Sequence, residues 1–199
     1  MLVMMLSEKG KLKTSDVLSK HLPEYRADIG QKVTIKHLLT HTSGIPSYTN
    51  DRKFMMNLTR DPYEPMVFVE KYCSKDLEFE PGEKFAYNNS GYFILGAIIE
   101  KITGKSYATA LDEMIFKPLA MQNSGYDLHT PLLQKRASGY LRTPSGWANA
   151  QFIDMTIPYA AGSLYSTIED LYLWDRALHA KKMLSEAAFA EMYTPFHNN

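Results

Sequence analysis

Cysteine occurs once in the 199 residues, at Cys73, which excludes an internal disulfide and any metal site assembled from several thiolates. With no cysteine motif around it, this residue reads as a small buried apolar side chain and not as a nucleophile. An excess of either charge is also missing: Lys plus Arg and Asp plus Glu both total 22, for a formal charge of zero. A chain without a basic field is a poor partner for DNA, RNA or an anionic membrane, and no acidic block marks a tail. Long apolar runs are lacking as well. The opening "MLVMML" is short, with no basic lead and no small-residue cleavage site, too brief for a signal peptide's apolar stretch or a membrane span. No export signal is therefore encoded in this chain, and a cytoplasmic location is the default. Repeats, low-complexity tracts and an interdomain linker are missing too.

What is present is ordinary globular composition, 45% apolar and 22% charged, in a length that suits one domain or a piece of a larger one. Apolar periodicity predicts helices. "MLVMMLSE" reads as a helix already under way that stops at Gly10, and a start without a cap points to a natural chain that begins earlier. "VTIKHLL" is a short helix with Thr34 as cap and Gly44 just past its end. "YEPMVFVEKYCSK" carries Met66, Val69 and Cys73 on its inner face. Ser90 is expected to cap a long helix bearing Phe93, Ile94, Ala97, Ile98 and Ile102 that Gly104 ends. Ser106 opens the next, which stops before Pro118. Ser166 and Glu169 have capping-box spacing before Leu171, Trp174 and Leu178, and "SEAAFAEMY" is a last short helix. Strand-like material is sparse: "SGYLRT", "WANAQFIDM" and "GSLYST". The pattern is helix-rich α+β.

Most polar clusters have bland explanations. His37 and His41, four apart, share a helix face, but zinc hydrolases with that spacing place a glutamate directly after the first histidine, and here Leu38 stands there. Histidines that hold the helix end or its following turn are the better reading. Asn57-Leu58-Thr59 fits a glycosylation sequon, a triplet that chance often supplies. Asp112-Glu113 and Glu169-Asp170 fit solvated first turns or helix faces. "EPGEKFAYNNSGY" differs. A Pro-Gly turn delivers Tyr87, Asn88 and Asn89 to the mouth of a long helix, where short polar side chains can project into a cleft while the helix anchors them. Tyr87 brings a phenol and Asn89 an amide donor and acceptor. The alternative is a capped helix start with a packed tyrosine.

The order of "SEKGKL", "HLPEY", "VTIKHLLTHTSGIPSY", "FEPGEKFAYNNSGYFILGAIIEKITGKSY", "IFKPLAMQNSGY" and "AAGSLYSTIEDLYLWDRAL" resembles the serine β-lactamase and penicillin-binding-protein-like hydrolases. The branch it is most similar to contains class C β-lactamases, D-alanyl-D-alanine carboxypeptidases, D-aminopeptidases and esterases. The resemblance spans almost the whole chain and implies acyl transfer on a β-lactam, a D-amino peptide or an ester, with no metal or organic cofactor. In that family a serine activated by the lysine of S-x-x-K attacks a carbonyl. A Y-x-N motif supplies proton transfer and a substrate-orienting amide, roles that carry over to Tyr87 and Asn89. The "AAGSLYST" segment looks like the loop bordering the substrate, which makes Ala161, Gly162 and Ser163 candidate pocket residues.

No serine stands three residues before any lysine, and neither K-T-G nor H-x-G occurs. Relatives carry S-x-x-K on the helix whose far end resembles "MLVMMLSEKGKL", so that motif is expected before Met1 and the third one after Asn199. Residues 1–199 are thus expected to form one incomplete β-lactamase-like domain: the helical middle of the β-lactamase/transpeptidase-like fold, with most of its main antiparallel sheet missing. A phenol ordinarily titrates near pH 10, so a tyrosine base needs nearby positive charge; Lys84 and Lys101 are near in sequence, but nothing aims them at Tyr87. Without the serine, efficient turnover is not expected from this chain alone. Three accounts stay open: a truncated hydrolase, which the abrupt ends favour; one piece of a split or swapped assembly; and a non-catalytic binding module. Helices without their sheet would also expose apolar faces and promote self-association.

Overall fold

The longest helix, Asn89–Thr103, buries Phe93, Ile94, Leu95, Ala97, Ile98 and Ile99. A helix apolar on nearly every side belongs inside a fold, and several of the other helices pack against this one. The computed structural model describes residues 1–57 and 59–196, so the middle residue of the predicted sequon, Leu58, lies outside the described residues. In chain order the helices are α1 (Leu2–Glu8), α2 (Leu18–His21), α3 (Ala27–Gly30), α4 (Ile35–Leu39), α5 (Arg52–Asn57), α6 (Pro65–Tyr72), α7 (Asn89–Thr103), α8 (Tyr107–Leu111), α9 (Ile168–His179) and α10 (Glu186–Tyr193). A π-turn, Asp112–Phe116, extends α8, and one-turn 3₁₀ helices lie at Tyr48–Asn50 and Tyr159–Ala161. Strands are short: β1 (Gly125–Tyr126) pairs antiparallel with β4 (Leu164–Tyr165), and β2 (Tyr140–Thr143) forms a hairpin with β3 (Gly146–Asn149), Tyr140 opposite Asn149. The helix-rich α+β reading holds.

Helix ends follow the sequence, with shifts that tertiary contacts explain. Gly104 ends α7 in the left-handed conformation that glycine adopts without a Cβ penalty (φ +67°). Ser106 caps α8, and Ser185 caps α10. The cap of α7, however, is Asn88, not Ser90: its Oδ1 accepts the Gly91 N–H at 2.8 Å. Ser90 is fully buried and bridges inward, accepting the Tyr48 N–H at 2.9 Å and donating to Pro46 O at 2.8 Å. Likewise Thr167, not Ser166, caps α9, and no Ser166–Glu169 box forms among the described residues. Asp170 is no solvated first-turn charge either. It is 3% exposed and accepts the Asn123 N–H at 2.7 Å and the Ser124 hydroxyl at 2.8 Å, fastening α9 to the loop before β1.

On α6, Phe68, Val69 and Tyr72 face inward, and Cys73 follows as C-cap, wholly buried. Burial pushes its thiol up to about 12, because desolvation disfavours the thiolate. The folded chain is therefore expected to resist a thiol-specific disulfide reagent at pH 8 and to label stoichiometrically in denaturant. Labelling within minutes in native buffer would show that α6 opens readily.

Not every apolar face is covered. Between α7, α8, β4 and α9 lies an apolar trough of about 600 Å³ whose lining includes Leu95, Ile99, Leu111, Ile115, Leu171 and Trp174. Ile168, Leu171 and Tyr172 of α9 are exposed. Among the described residues no helix is long and apolar enough to cross a membrane.

Candidate active site

The mouth of α7 is held by two layers of backbone contact. Segment 78–86 runs beside 41–44: Glu78 N–H donates to Gly44 O and Gly82 N–H to Thr42 O, both at 2.8 Å, and Ala86 N–H donates to His41 O at 2.9 Å. Gly82 turns the Pro-Gly corner with φ +88°, which glycine alone adopts at no steric cost. Asn88, extended and buried, then locks the helix start. While its Oδ1 caps, its Nδ2 donates to Ile45 O, and its own N–H donates to His41 Nδ1 at 3.1 Å.

This fixing leaves Tyr87 turned outward, 63% exposed, with its ring centroid 4.6 Å from that of His41. On the other side of His41 lies Tyr92, stacked at 4.9 Å, whose hydroxyl donates to Leu39 O. Opposite, the 3₁₀ turn Tyr159–Ala161 presses against α7, and Gly96 permits the approach. A Cβ on Gly96 would sit 2.4 Å from Tyr159 Cε1 and 2.5 Å from the Ala160 methyl. Between the two walls is a cleft of about 460 Å³ lined by His41, Tyr87, Tyr92, Ala160, Ala161, Gly162 and Leu164.

Three of the sequence-derived site residues, Tyr87, Ala161 and Gly162, thus meet around one cleft although 74 residues separate Tyr87 from Ala161 (161 − 87). Asn89 stands at the start of α7, half-buried, its N–H on Ser47 Oγ (3.2 Å) and its Nδ2 on Thr49 Oγ1 (3.0 Å). Ser163 does not line the cleft. It is buried, and its hydroxyl donates to Tyr159 O at 2.5 Å. Sequence reasoning missed Tyr92 and the Ser47–Thr49 hydroxyls, which carry no motif, and weighed His41 only as a ligand or helix-end residue.

The two histidines of α4 and its turn are engaged by the backbone. His37 Nδ1 accepts the Thr34 N–H, completing a capping box with Thr34, and His41 Nδ1 accepts from Asn88. Among the described residues no three His, Cys, Asp or Glu side chains are grouped to hold a metal ion. Lys84 lies over the Phe79 ring and Lys101 pairs with Glu24 at 3.0 Å, so neither ammonium is directed at Tyr87. Chemically the cleft offers a phenol, an imidazole and apolar walls; Asn89 is not among its lining residues, and its amide is turned to Thr49.

A family model described as Beta-lactamase matches residues 1–199. The chain belongs to the beta-lactamase family. PbpX of Bacillus subtilis (strain 168), which carries a penicillin-binding-protein name, is 31% identical over 193 residues, covering 97% of this chain and 46% of PbpX. The crystal structure of a penicillin binding protein from Bacillus halodurans superposes with a TM-score of 0.85 at 28% identity, over 100% of this chain and 62% of that one. A D-stereospecific amidohydrolase from Streptomyces sp. gives 0.84 at 27%, over 97% and 61%. This beta-lactamase-family chain therefore spans about half the length of PbpX and under two thirds of either crystallised neighbour.

Proposed function

We propose that residues 1–199 are the helical middle of one β-lactamase-like serine hydrolase domain, contributing the proton-transfer tyrosine and the orienting amide of an acyl-transfer site but not its nucleophile. The observation that carries this reading is Tyr87 facing Ala161 and Gly162 across a common cleft. In the complete site Tyr87 would relay a proton between nucleophile, carbonyl substrate and leaving group. Asn89 would orient the substrate amide from the helix mouth. Ser163, whose hydroxyl is tied to Tyr159 O, supports the loop rather than touching substrate. The substrate class is a β-lactam, a D-amino peptide or amide, or an ester, and the similarity to a D-stereospecific amidohydrolase favours the D-amino amide.

Because no serine here has a lysine three residues on, the chain by itself is proposed to form no acyl-enzyme. The apolar trough beside α9 supports a second reading, in which the chain associates with another chain or with itself.

The test is intact mass after exposure to a fluorophosphonate and to a labelled penicillin, together with NMR titration using a D-alanyl-D-alanine amide. The expected results are an unchanged mass and ligand-dependent shifts at Tyr87, Ala161 and Gly162, with affinity several-fold weaker in Tyr87→Phe through loss of one hydrogen-bonding hydroxyl. A stoichiometric adduct on a serine within these residues, or shifts confined to the α9–α10 face, would overturn the proposal.

A further inference from the structure

His41 holds a backbone conformation that its residue type seldom adopts, φ +57°. It stands one residue beyond the C-cap of α4, where Thr42 N–H bonds His37 O at 2.9 Å and His41 N–H reaches Leu38 O at 3.5 Å. That is the Schellman closure, whose left-handed position glycine usually fills. Glycine would close the turn with less strain, so the imidazole must do something a glycine could not.

Its polar atoms show what. The carbonyl of His41 accepts the Ala86 N–H and its ring Nδ1 accepts the Asn88 N–H; these are the amides on either side of Tyr87. The ring lies between Tyr87 and Tyr92, with Phe85 edge-on at 5.8 Å. We propose that His41 is the positioning residue of this site: from a left-handed turn it clamps both amides flanking Tyr87 and packs on the phenol ring, fixing where the hydroxyl points. The inference rests on the role proposed for Tyr87.

The clamp requires an unprotonated Nδ1, which places the neutral ring's proton on Nε2. Burial favours that state and draws the His41 pKa below the ordinary histidine value, and the N–H that Nδ1 accepts from Asn88 also needs the neutral ring. The titratable groups facing the ring are the Tyr87 and Tyr92 phenols. On the adjoining segment, Glu80 pairs with Lys32, Glu83 accepts the Glu80 N–H and Lys84 lies over Phe79. As pH falls through the depressed folded value, protonation converts Nδ1 from acceptor to donor and releases Asn88.

Long-range ¹H–¹⁵N spectra and amide exchange on the full chain test this. In the parent protein the Asn88 amide shift should follow His41 titration, below the ordinary histidine value. His41→Phe keeps a ring but no acceptor. It should raise Asn88 exchange about tenfold and abolish the ligand-dependent shift at Tyr87, leaving amides within α7 unchanged. His41→Asn keeps an acceptor and tolerates the left-handed turn, so it should hold Asn88 exchange within about threefold of the parent and retain the Tyr87 response. An Asn88 amide indifferent to His41 protonation, a His41→Phe protein with parent-like exchange, or a His41→Asn protein indistinguishable from His41→Phe would each overturn the clamp. Amide exchange and His41 titration need no ligand, so they stand or fall separately from the adduct and binding experiments on Tyr87.

Discussion

Gly44→Ala is expected to destabilise the fold by about 3–5 kcal/mol, lowering the melting temperature of a domain this size by about 10 °C. Gly44 has φ +75°, and an added Cβ would lie 2.0 Å from Phe79 O and 3.1 Å from its carbonyl carbon. The left-handed conformation alone costs an alanine roughly 1–2 kcal/mol. The contact with Phe79 O is backbone on backbone, so no side-chain rotation relieves it. Segment 78–82 would have to move away from 42–44, lengthening Glu78 N–H···O Gly44 and Gly82 N–H···O Thr42, each worth about 1 kcal/mol. Set against a typical total of about 5–15 kcal/mol, this is a large fraction. The same segment delivers Tyr87 to the cleft, so stability and site should fail together. Circular-dichroism melts decide the matter: a midpoint within about 2 °C of the parent would mean that the 44–79 crossing is far looser than described.

Gly44 also shows what could be read from sequence and what could not. A glycine after "HLLTHTS" reads as the residue just past a helix end, and Gly44 does hold a left-handed φ of +75°. The helix itself, however, ends at Leu39, and the left-handed residue nearest its end is His41. Local spacing pointed to the residue type that usually takes such a position; the fold places a histidine there because its ring contacts Asn88, 47 residues away. The caps repeat the lesson. Asn88, Asn89 and Ser90 are all competent, and the choice falls on Asn88 because its Nδ2 also reaches Ile45 O while Ser90 is drawn to Tyr48 and Pro46. Asp170 gave no sign of burial, since the Asn123 and Ser124 groups that neutralise its isolation arrive from another loop. The apolar stripe of α7 and its stop at Gly104 needed no such help. Tyr87 and the Ala161–Ser163 segment each stand out in the sequence, but only the crossing of the Tyr159–Ala161 turn against Gly96 brings Tyr87, Ala161 and Gly162 to one cleft, while Ser163 is turned to Tyr159 O.

Phe68→Ala should remove about 3–5 kcal/mol and disturb the cleft from below. Phe68 is fully buried at the centre of an aromatic cluster: it stacks on Phe93 at 4.2 Å and meets Tyr48, Tyr72, Tyr63 and Phe54 at 5.0, 4.9, 5.5 and 5.7 Å. Truncation loses the transfer energy of a benzyl group and leaves a void that five rings cannot all relax to fill. The consequence travels along the stack. Phe93 lies 4.7 Å from Tyr159, and Tyr159, held at φ +41°, begins the turn whose Ala160 and Ala161 form the far wall. A loosened Phe93 therefore removes the floor on which that wall rests. Phe68→Leu, which fills much of the volume without the stack, should recover about half of the lost stability. Denaturation midpoints supply the stability comparison, and ligand-dependent NMR shifts at Gly162 report on the wall. If Phe68→Ala lowered the midpoint while leaving the Gly162 response at the parent value, the cluster would stabilise the helices without supporting the cleft, and the proposed path from α6 through Phe93 to the Tyr159–Gly162 wall would be wrong.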